Sequence, residues 1–271
     1  MGKDEDHQSL AVSSREYKLI LSPDRFADRE AGAEALRDLI HLLVSRQQVD
    51  VEDQADEETR RTYYLDTFAS HLNHAGFALR VRYEQEEDAY KIALKYRAPD
   101  RYLAASKNVR SSKDKNGSVK FEEDILPPFR SVFSRSSSIW CDELPKLDTL
   151  DDAAQLFPGL AALDIPKKTK LAKANGFEAH EVFRKLCILK FKTKKTKTKV
   201  KLGLSFWYHT QRDRWPLIAE CAFDYKAHNG DDFPLDVVEA TGKLFCSLQN
   251  QPGWFNSGAT TKTRYVYEGL T

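Results

Sequence analysis

Little in this chain assigns it at a glance. Its 271 residues hold only four cysteines, Cys141, Cys187, Cys221 and Cys246, and no two of them share a CxxC spacing. Zinc binding and a disulfide framework are therefore not indicated. Cys187 and Cys221 fall in strand-like apolar runs, where a thiol packs as a small hydrophobe. No apolar run approaches the length of a membrane span. Met1–Ser9 lacks the basic and apolar regions of a secretion signal, so the cytoplasm is the expected location. Charge of one sign is missing as well. A net charge of +1 with 31% charged residues describes a mixed surface, not that of a nucleic-acid binder. A length of 271 residues suits one large β-rich domain or two small ones with a substantial core, and hydrophobic content of 41% is globular.

What is present is charge on every second residue of four short stretches. They are Glu16-Tyr17-Lys18, Arg80-Val81-Arg82, Lys120-Phe121-Glu122-Glu123-Asp124 and Lys190-Phe191-Lys192. In a strand, successive side chains point to opposite faces, so each stretch places its charges on one face and an apolar residue on the other. These stretches lie far apart in sequence. A closed or cupped sheet would gather them around one charged cavity.

Along the chain, residues 15–21 read as a strand ended by Ser22-Pro23. Helical spacing follows over 29–46, with Leu36, Leu39, Ile40, Leu43 and Val44 as one apolar stripe. Residues 47–60 are acidic and read as a loop. A strand over 62–66 leads to a short helix that Asp66 or Thr67 can cap and Gly76 can end. Strands are predicted over 77–84, 88–96 and 119–126. From 129 to 174 the pattern is of helical pieces broken by Pro145, Pro158 and Pro166. Three more strands follow over 181–194, 199–208 and 215–226, then a helix to Leu248 and a closing strand over 261–267. We read residues 1–13 as a polar tail and 14–271 as a single domain with a helical insertion around 128–175. No internal repeat is evident.

In this order the motifs resemble those of the CYTH family of triphosphate tunnel metalloenzymes. The family's E-x-E-x-K strand is matched by Ser14-Arg15-Glu16-Tyr17-Lys18. Its Y-[FY]-D-T and G-x-x-L-R-x-R are matched by Tyr64-Leu65-Asp66-Thr67 and Gly76-Phe77-Ala78-Leu79-Arg80-Val81-Arg82. Ala93-Leu94-Lys95, then Lys120, Glu122 and Asp124, resemble the next two strands. Val200-Lys201-Leu202-Gly203-Leu204-Ser205, Glu220-Cys221-Ala222-Phe223-Asp224 and Thr261-Lys262 resemble the last three motifs. The resemblance spans about residues 14–267. It implies an α+β, β-dominated fold: a closed eight-stranded antiparallel tunnel with helices packed outside.

It also implies a function. Basic side chains of one part of the wall would bind a triphosphate, and carboxylates of another would hold Mg²⁺ or Mn²⁺. A triphosphate carries more negative charge than any single cation offsets, so Arg forks and Lys ammonium groups must converge on it. Hard divalent ions take carboxylate oxygens. The resemblance places Lys18, Arg80, Arg82, Lys95, Lys190, Lys192, Lys262 and Arg264 on the phosphates. Glu16, Glu122 and Glu220 would hold the metal, with Asp124 and Asp224 in reserve; Glu16, Lys18, Glu122 and Glu220 would be the catalytic set. The expected reaction is hydrolysis of inorganic tripolyphosphate, a nucleoside triphosphate or thiamine triphosphate, in preference to an adenylate cyclase reaction. Losses relative to the family fall on acids: Ser14, Ser205 and Ala222 stand where it has carboxylates, and Lys201 where an acid is common. The alternative is a degraded module that binds a polyphosphate without cleaving it.

Blander readings stand beside these. The Lys-rich run 192–201 reads as a solvated hairpin tip, since no aromatic residues interleave for base stacking. His71 and His74 lack a third metal ligand nearby, and Asp66 reads as a helix cap. If the tunnel is right, Glu16, Lys18, Arg80, Arg82, Lys95, Lys120, Glu122, Lys190, Lys192, Glu220 and Lys262 face inward. Tyr17, Leu19, Leu79, Val81, Leu94, Phe121, Leu189, Phe191, Cys221 and Phe223 then pack beneath the helices. A one-residue slip would exchange the two sets.

Overall fold

The computed structural model describes residues 10–47, 49–113, 119–192, 197–228, 232–258 and 261–268, with the backbone alone at Lys192. Ten strands form one sheet: β1 (Ser14–Leu21), β2 (Val49–Asp53), β3 (Glu57–Asp66), β4 (Phe77–Glu84), β5 (Ala89–Ala98), β6 (Lys120–Leu126), β7 (Arg130–Cys141), β8 (Ala172–Lys192), β9 (Lys197–Tyr208) and β10 (Ile218–Lys226). Their order is β2-β8-β3-β4-β5-β7-β6-β1-β10-β9, and β8 pairs with β9 as well, which closes a nine-stranded barrel with β2 outside the ring. Nine is the consequential number. A closed ring whose neighbours all run antiparallel needs an even count, so nine strands require a parallel contact. It falls at β1–β6, where Ser14 lies opposite Glu122 and Glu16 opposite Asp124. The fold class is as expected, but the eight-stranded, wholly antiparallel tunnel is corrected to this mixed ring.

Alternation sorts the side chains as the sequence predicted. Tyr17, Leu19, Leu189, Phe191, Cys221 and Phe223 lie in one outer core. Helix α1 (Arg29–Val44) covers that core with Gly32, Ala33, Leu36, Ile40 and Val44, and α5 (Leu235–Gln249) covers it with Val237, Leu244, Phe245 and Leu248. Asp28 caps α1 by accepting from the Ala31 amide at 3.1 Å. Leu79, Val81, Leu94 and Phe121 lie in a second outer core, shared with α3 (Arg101–Ser106) and α4 (Leu150–Leu156). Among the described residues no helix is long and apolar enough to cross a membrane.

Three stretches differ from the sequence reading. Within the expected loop of 47–60, residues 49–53 form a strand and 57–60 begin another: β8 is 21 residues long and outruns β3, so its free edge takes β2. Residues 130–141 form β7 inside the proposed helical insertion. Its serines hid it, yet alternation holds: Ser134, Ser136 and Ser138 face inward opposite Arg97, Lys95 and Ala93. On its outer side Arg135 and Ser137 donate to the carbonyls of Ala105 and Val109, which lets polar residues stand among Phe133 and Ile139. Finally, residues 262–268 are a helix, α6 (Lys262–Glu268), not a strand. The β8–β9 pairing has closed the ring and left no edge for another strand there.

Helix α6 stoppers one mouth of the barrel. The inward residues Ile20, Tyr64, Ala78, Ala179, Trp207 and Ile218 form an apolar floor, and Val266 packs into it. The Tyr267 hydroxyl donates to Asp66 at 3.0 Å, while Asp66 also accepts from the Leu72 and Asn73 amides and so caps α2 (His71–His74), as read from sequence. The opposite mouth is framed by the β4–β5 hairpin, the end of β7 and the start of β6.

Candidate functional site

Between floor and open mouth lies a chamber walled by charge. Its first knot is built on β1, β6 and β5. Parallel pairing sets Glu16 of β1 beside Asp124 of β6, and Lys18 lies one step further along β1. The Lys18 ammonium sits 2.7 Å from Glu16 and 2.9 Å from Asp124. Lys95 of β5 sits 3.3 Å from both Glu122 and Asp124. Arg97 reaches Asp124 at 3.7 Å, and the Ser14 hydroxyl donates to Glu122 at 3.3 Å.

The field of this knot splits its acids. Burial alone would push every carboxyl up. At Asp124 the cations Lys18, Lys95 and Arg97 outweigh burial and hold it far below the usual range. Glu122 is likewise lowered against burial by Lys95. At Glu16 burial wins, with help from the charges of Asp124 and Glu122, and its affinity for a proton is raised. Burial works against the charge on Lys18, yet Asp124 and Glu16 raise its pKa.

A second knot centres on Glu181 of β8, which sequence reasoning did not single out. Its carboxylate is 1% exposed. It accepts from the Thr62 hydroxyl at 3.0 Å and the Ser205 hydroxyl at 2.5 Å, and pairs with Arg82 at 3.3 Å and Lys262 at 3.4 Å. Its pKa is held well below normal: burial pushes up, but Arg82 and Lys262 outweigh it. Lys262 also meets Glu220 at 2.8 Å and lies 5.5 Å over the Trp207 ring. The signal for Glu181 was a lone acid on the same strand face as Ala179 and Phe183. A β-bulge between Lys185 and Cys187 shifts the phase of the strand, so unbroken alternation from Lys190 would place Glu181 on the outer face.

Between the knots the charge is uncompensated. Arg80 points inward from β4, opposite Tyr64, and makes no ion pair among the described residues; its Nε is buried without a partner. Neighbouring Arg82, then burial, push its pKa down to about 10. Burial pushes the Tyr64 hydroxyl up, but Arg80 and Arg97 outweigh this and leave it below normal. The Ser134 hydroxyl is also buried without a partner. Lys91, on the same wall opposite Arg82, is lowered by burial and by Arg80, Arg82 and Lys120. Buried polar groups in folded proteins are almost always satisfied, so an inward guanidinium whose Nε has no partner, beside the positive charge of Arg82 and Lys91, marks a place for an anion.

The remaining expected residues distribute unevenly. Lys190 is engaged by Glu52 of β2, outside the ring, and the Lys192 side chain lies outside the described residues. Arg264, expected on the phosphates, is exposed and pairs with Glu268, because two residues along a helix turn it away from Lys262. Asp224 faces inward near the open mouth opposite Lys201, and burial raises its pKa. Glu220 stands with Lys262 in the second knot. Lys91, Arg97 and Glu84 were not singled out, although Lys91, Lys95 and Arg97 alternate along one strand.

Glu16, Glu122 and Asp124 are hard oxygen donors, the right kind for Mg²⁺ or Mn²⁺. Their arrangement does not fit a resident cation. Lys18, Lys95 and Arg97 already pair with them, and among the described residues no group of three or more acidic, His or Cys side chains surrounds a point that holds a metal.

No family model matches this chain, and no curated protein matches it. Several solved structures are similar. A Hippeastrum protein with a dominant triphosphatase activity has a TM-score of 0.48 at 13% identity, covering 96% of this chain and 97% of that one. Candidate adenylate cyclases from Bacillus halodurans and Vibrio parahaemolyticus have TM-scores of 0.39 and 0.37, each at 11% identity, over 94% of this chain and 99% and 98% of theirs. The resemblance to the CYTH family read from the ordered motifs agrees with a closed barrel whose charged side chains point inward and whose helices lie outside.

Proposed function

We propose that the chamber binds a triphosphate, inorganic or carrying an organic group, and hydrolyses one of its phosphoanhydride bonds. The observation that carries this reading is Arg80: an inward guanidinium without a carboxylate, beside Arg82 and near Lys91. Phosphate oxygens match the guanidinium fork and neutralise the surplus charge. In the reaction, water attacks phosphorus and gives a proton to a base as the P–O bond to the leaving phosphate breaks. Glu16 is the carboxylate best suited to take that proton, because its proton affinity is raised while its neighbours' are lowered. Negative charge on the leaving oxygens falls among Lys95, Arg82 and Arg97, in a chamber closed at one end. Mg²⁺ or Mn²⁺ enters this proposal only as the counter-ion that a triphosphate carries, and no step here depends on it.

A second reading, binding without turnover, is favoured by the saturation of the carboxylates: Glu16, Glu122, Asp124, Glu181 and Glu220 each have a cationic partner. One experiment separates the two. Tripolyphosphate binding is measured by calorimetry with EDTA and with Mn²⁺, and phosphate release is followed on the same sample. Release that is lost in Glu16→Gln supports hydrolysis. Saturable binding without release under either condition leaves the binding module, and no binding at all refutes both.

A further inference from the structure

We infer that the open mouth carries a subsite for a neutral planar ring attached to the triphosphate, with Trp140 as its platform. This rests on the triphosphate reading above and adds the class of organic group. Trp140 lies at the end of β7, paired with inward-facing Lys91, so its indole stands at the inner rim of the mouth. It is 52% exposed, although the inner-wall aromatics Tyr64 and Trp207 at the floor are 5% and 2% exposed. The Lys91 ammonium hovers 4.8 Å above the ring.

The direction of a bound ligand follows from closure. Helix α6 and the apolar floor occupy the far mouth, so a group attached to phosphates held at Arg80 and Arg82 extends toward the open one. Lys91 lies between those arginines and Trp140, with its charge disfavoured by burial and three neighbouring cations. A phosphate relieves that field and draws the ammonium off the indole, and the freed face then stacks on a ring. The same cations, Lys91 and Lys120, repel a positively charged thiazolium. A neutral nucleobase meets no such cost, which places ATP ahead of thiamine triphosphate.

The test compares wild type, Trp140→Ala and Trp140→Phe by calorimetry with ATP, thiamine triphosphate and tripolyphosphate. Loss of a base–aromatic stack weakens binding by roughly ten-fold or more. Trp140→Ala is therefore expected to lose that factor for ATP and little for tripolyphosphate, while Trp140→Phe keeps most of the ATP affinity. In wild type, ATP is expected to quench part of the indole emission that tripolyphosphate leaves intact, and Trp140→Phe to lose that difference. Equal losses for ATP and tripolyphosphate, or thiamine triphosphate binding more tightly than ATP, overturn the subsite and leave the phosphate chamber standing. Absence of binding by all three ligands overturns both. Should Trp140→Ala not fold, Trp140→Phe and the wild-type ligand comparison still decide.

Discussion

Replacing Arg80 with Met is expected to make the protein more stable and less able to bind a polyphosphate. The guanidinium faces the chamber without a carboxylate, its Nε is buried and unpartnered, and Arg82 lies one step along the same strand. The fall from the ordinary 12.5 to about 10 corresponds to about 3 kcal/mol of unfavourable field, at about 1.4 kcal/mol for each tenfold in the protonation equilibrium. Solvent entering through the open mouth screens part of this, leaving roughly 1–2 kcal/mol to be gained by removing the charge. Methionine is long and flexible enough to fill the space. For a chain of this size the gain appears as a rise in Tm of about 3–6 °C. Tripolyphosphate affinity is expected to fall about 30-fold, the loss of a charge-assisted bond worth about 2 kcal/mol. Arg264→Met, which removes an exposed guanidinium whose ion pair among the described residues is with Glu268, serves as control and should change neither quantity. Thermal denaturation and calorimetry on the three proteins make the comparison. A destabilised Arg80→Met with undiminished binding would refute the reasoning, since Arg80 would then be a structural cation and not an anion site.

Other perturbations test the rest of the chamber. Glu181→Ala leaves Arg82 and Lys262 buried without their shared carboxylate and is expected to cost about 3–5 kcal/mol in urea unfolding; a cost under 1 kcal/mol would contradict the second knot. Asp124 and Glu181 have lowered pKa values when folded, so the unfolded chain binds more protons. Their contribution is complete above the ordinary carboxylate range and is lost as pH falls from about 4 toward the folded values. Stability measured from pH 7 downward should therefore drop below about pH 4, and Asp124→Asn should flatten that drop. A Cβ added at Gly203 would lie 2.7 Å from the Phe183 ring, so Gly203→Ala is expected to destabilise by about 1–3 kcal/mol, with little effect at exposed Gly258.

Period-two alternation determined from the sequence alone which residues of β1, β4, β6 and β10 would face the chamber and which would pack in the two outer cores beneath the helices. Tyr17 beside Lys18 and Val81 between Arg80 and Arg82 leave one register, because the other buries charge against the helices. The inward placement of Glu16, Lys18, Lys95 and Glu122 was legible for the same reason; that Asp124 joins them, while Glu220, expected with Glu16 and Glu122, stands with Lys262, was not. Local pattern did not reveal β7, because its serines carry no hydrophobic period and their partners, the carbonyls of Ala105 and Val109, come from elsewhere in the chain. Nor did it reveal that 262–268 turn into a helix. Thr-Lys-Thr-Arg alternates like a strand, and only closure of the ring at β8–β9 removes the edge such a strand would need. The partner of each charge is likewise a tertiary fact. Nothing in residues 80–82 distinguishes Arg80 from Arg82 until Glu181, displaced in phase by a bulge on a strand a hundred residues later, comes to lie against one and not the other.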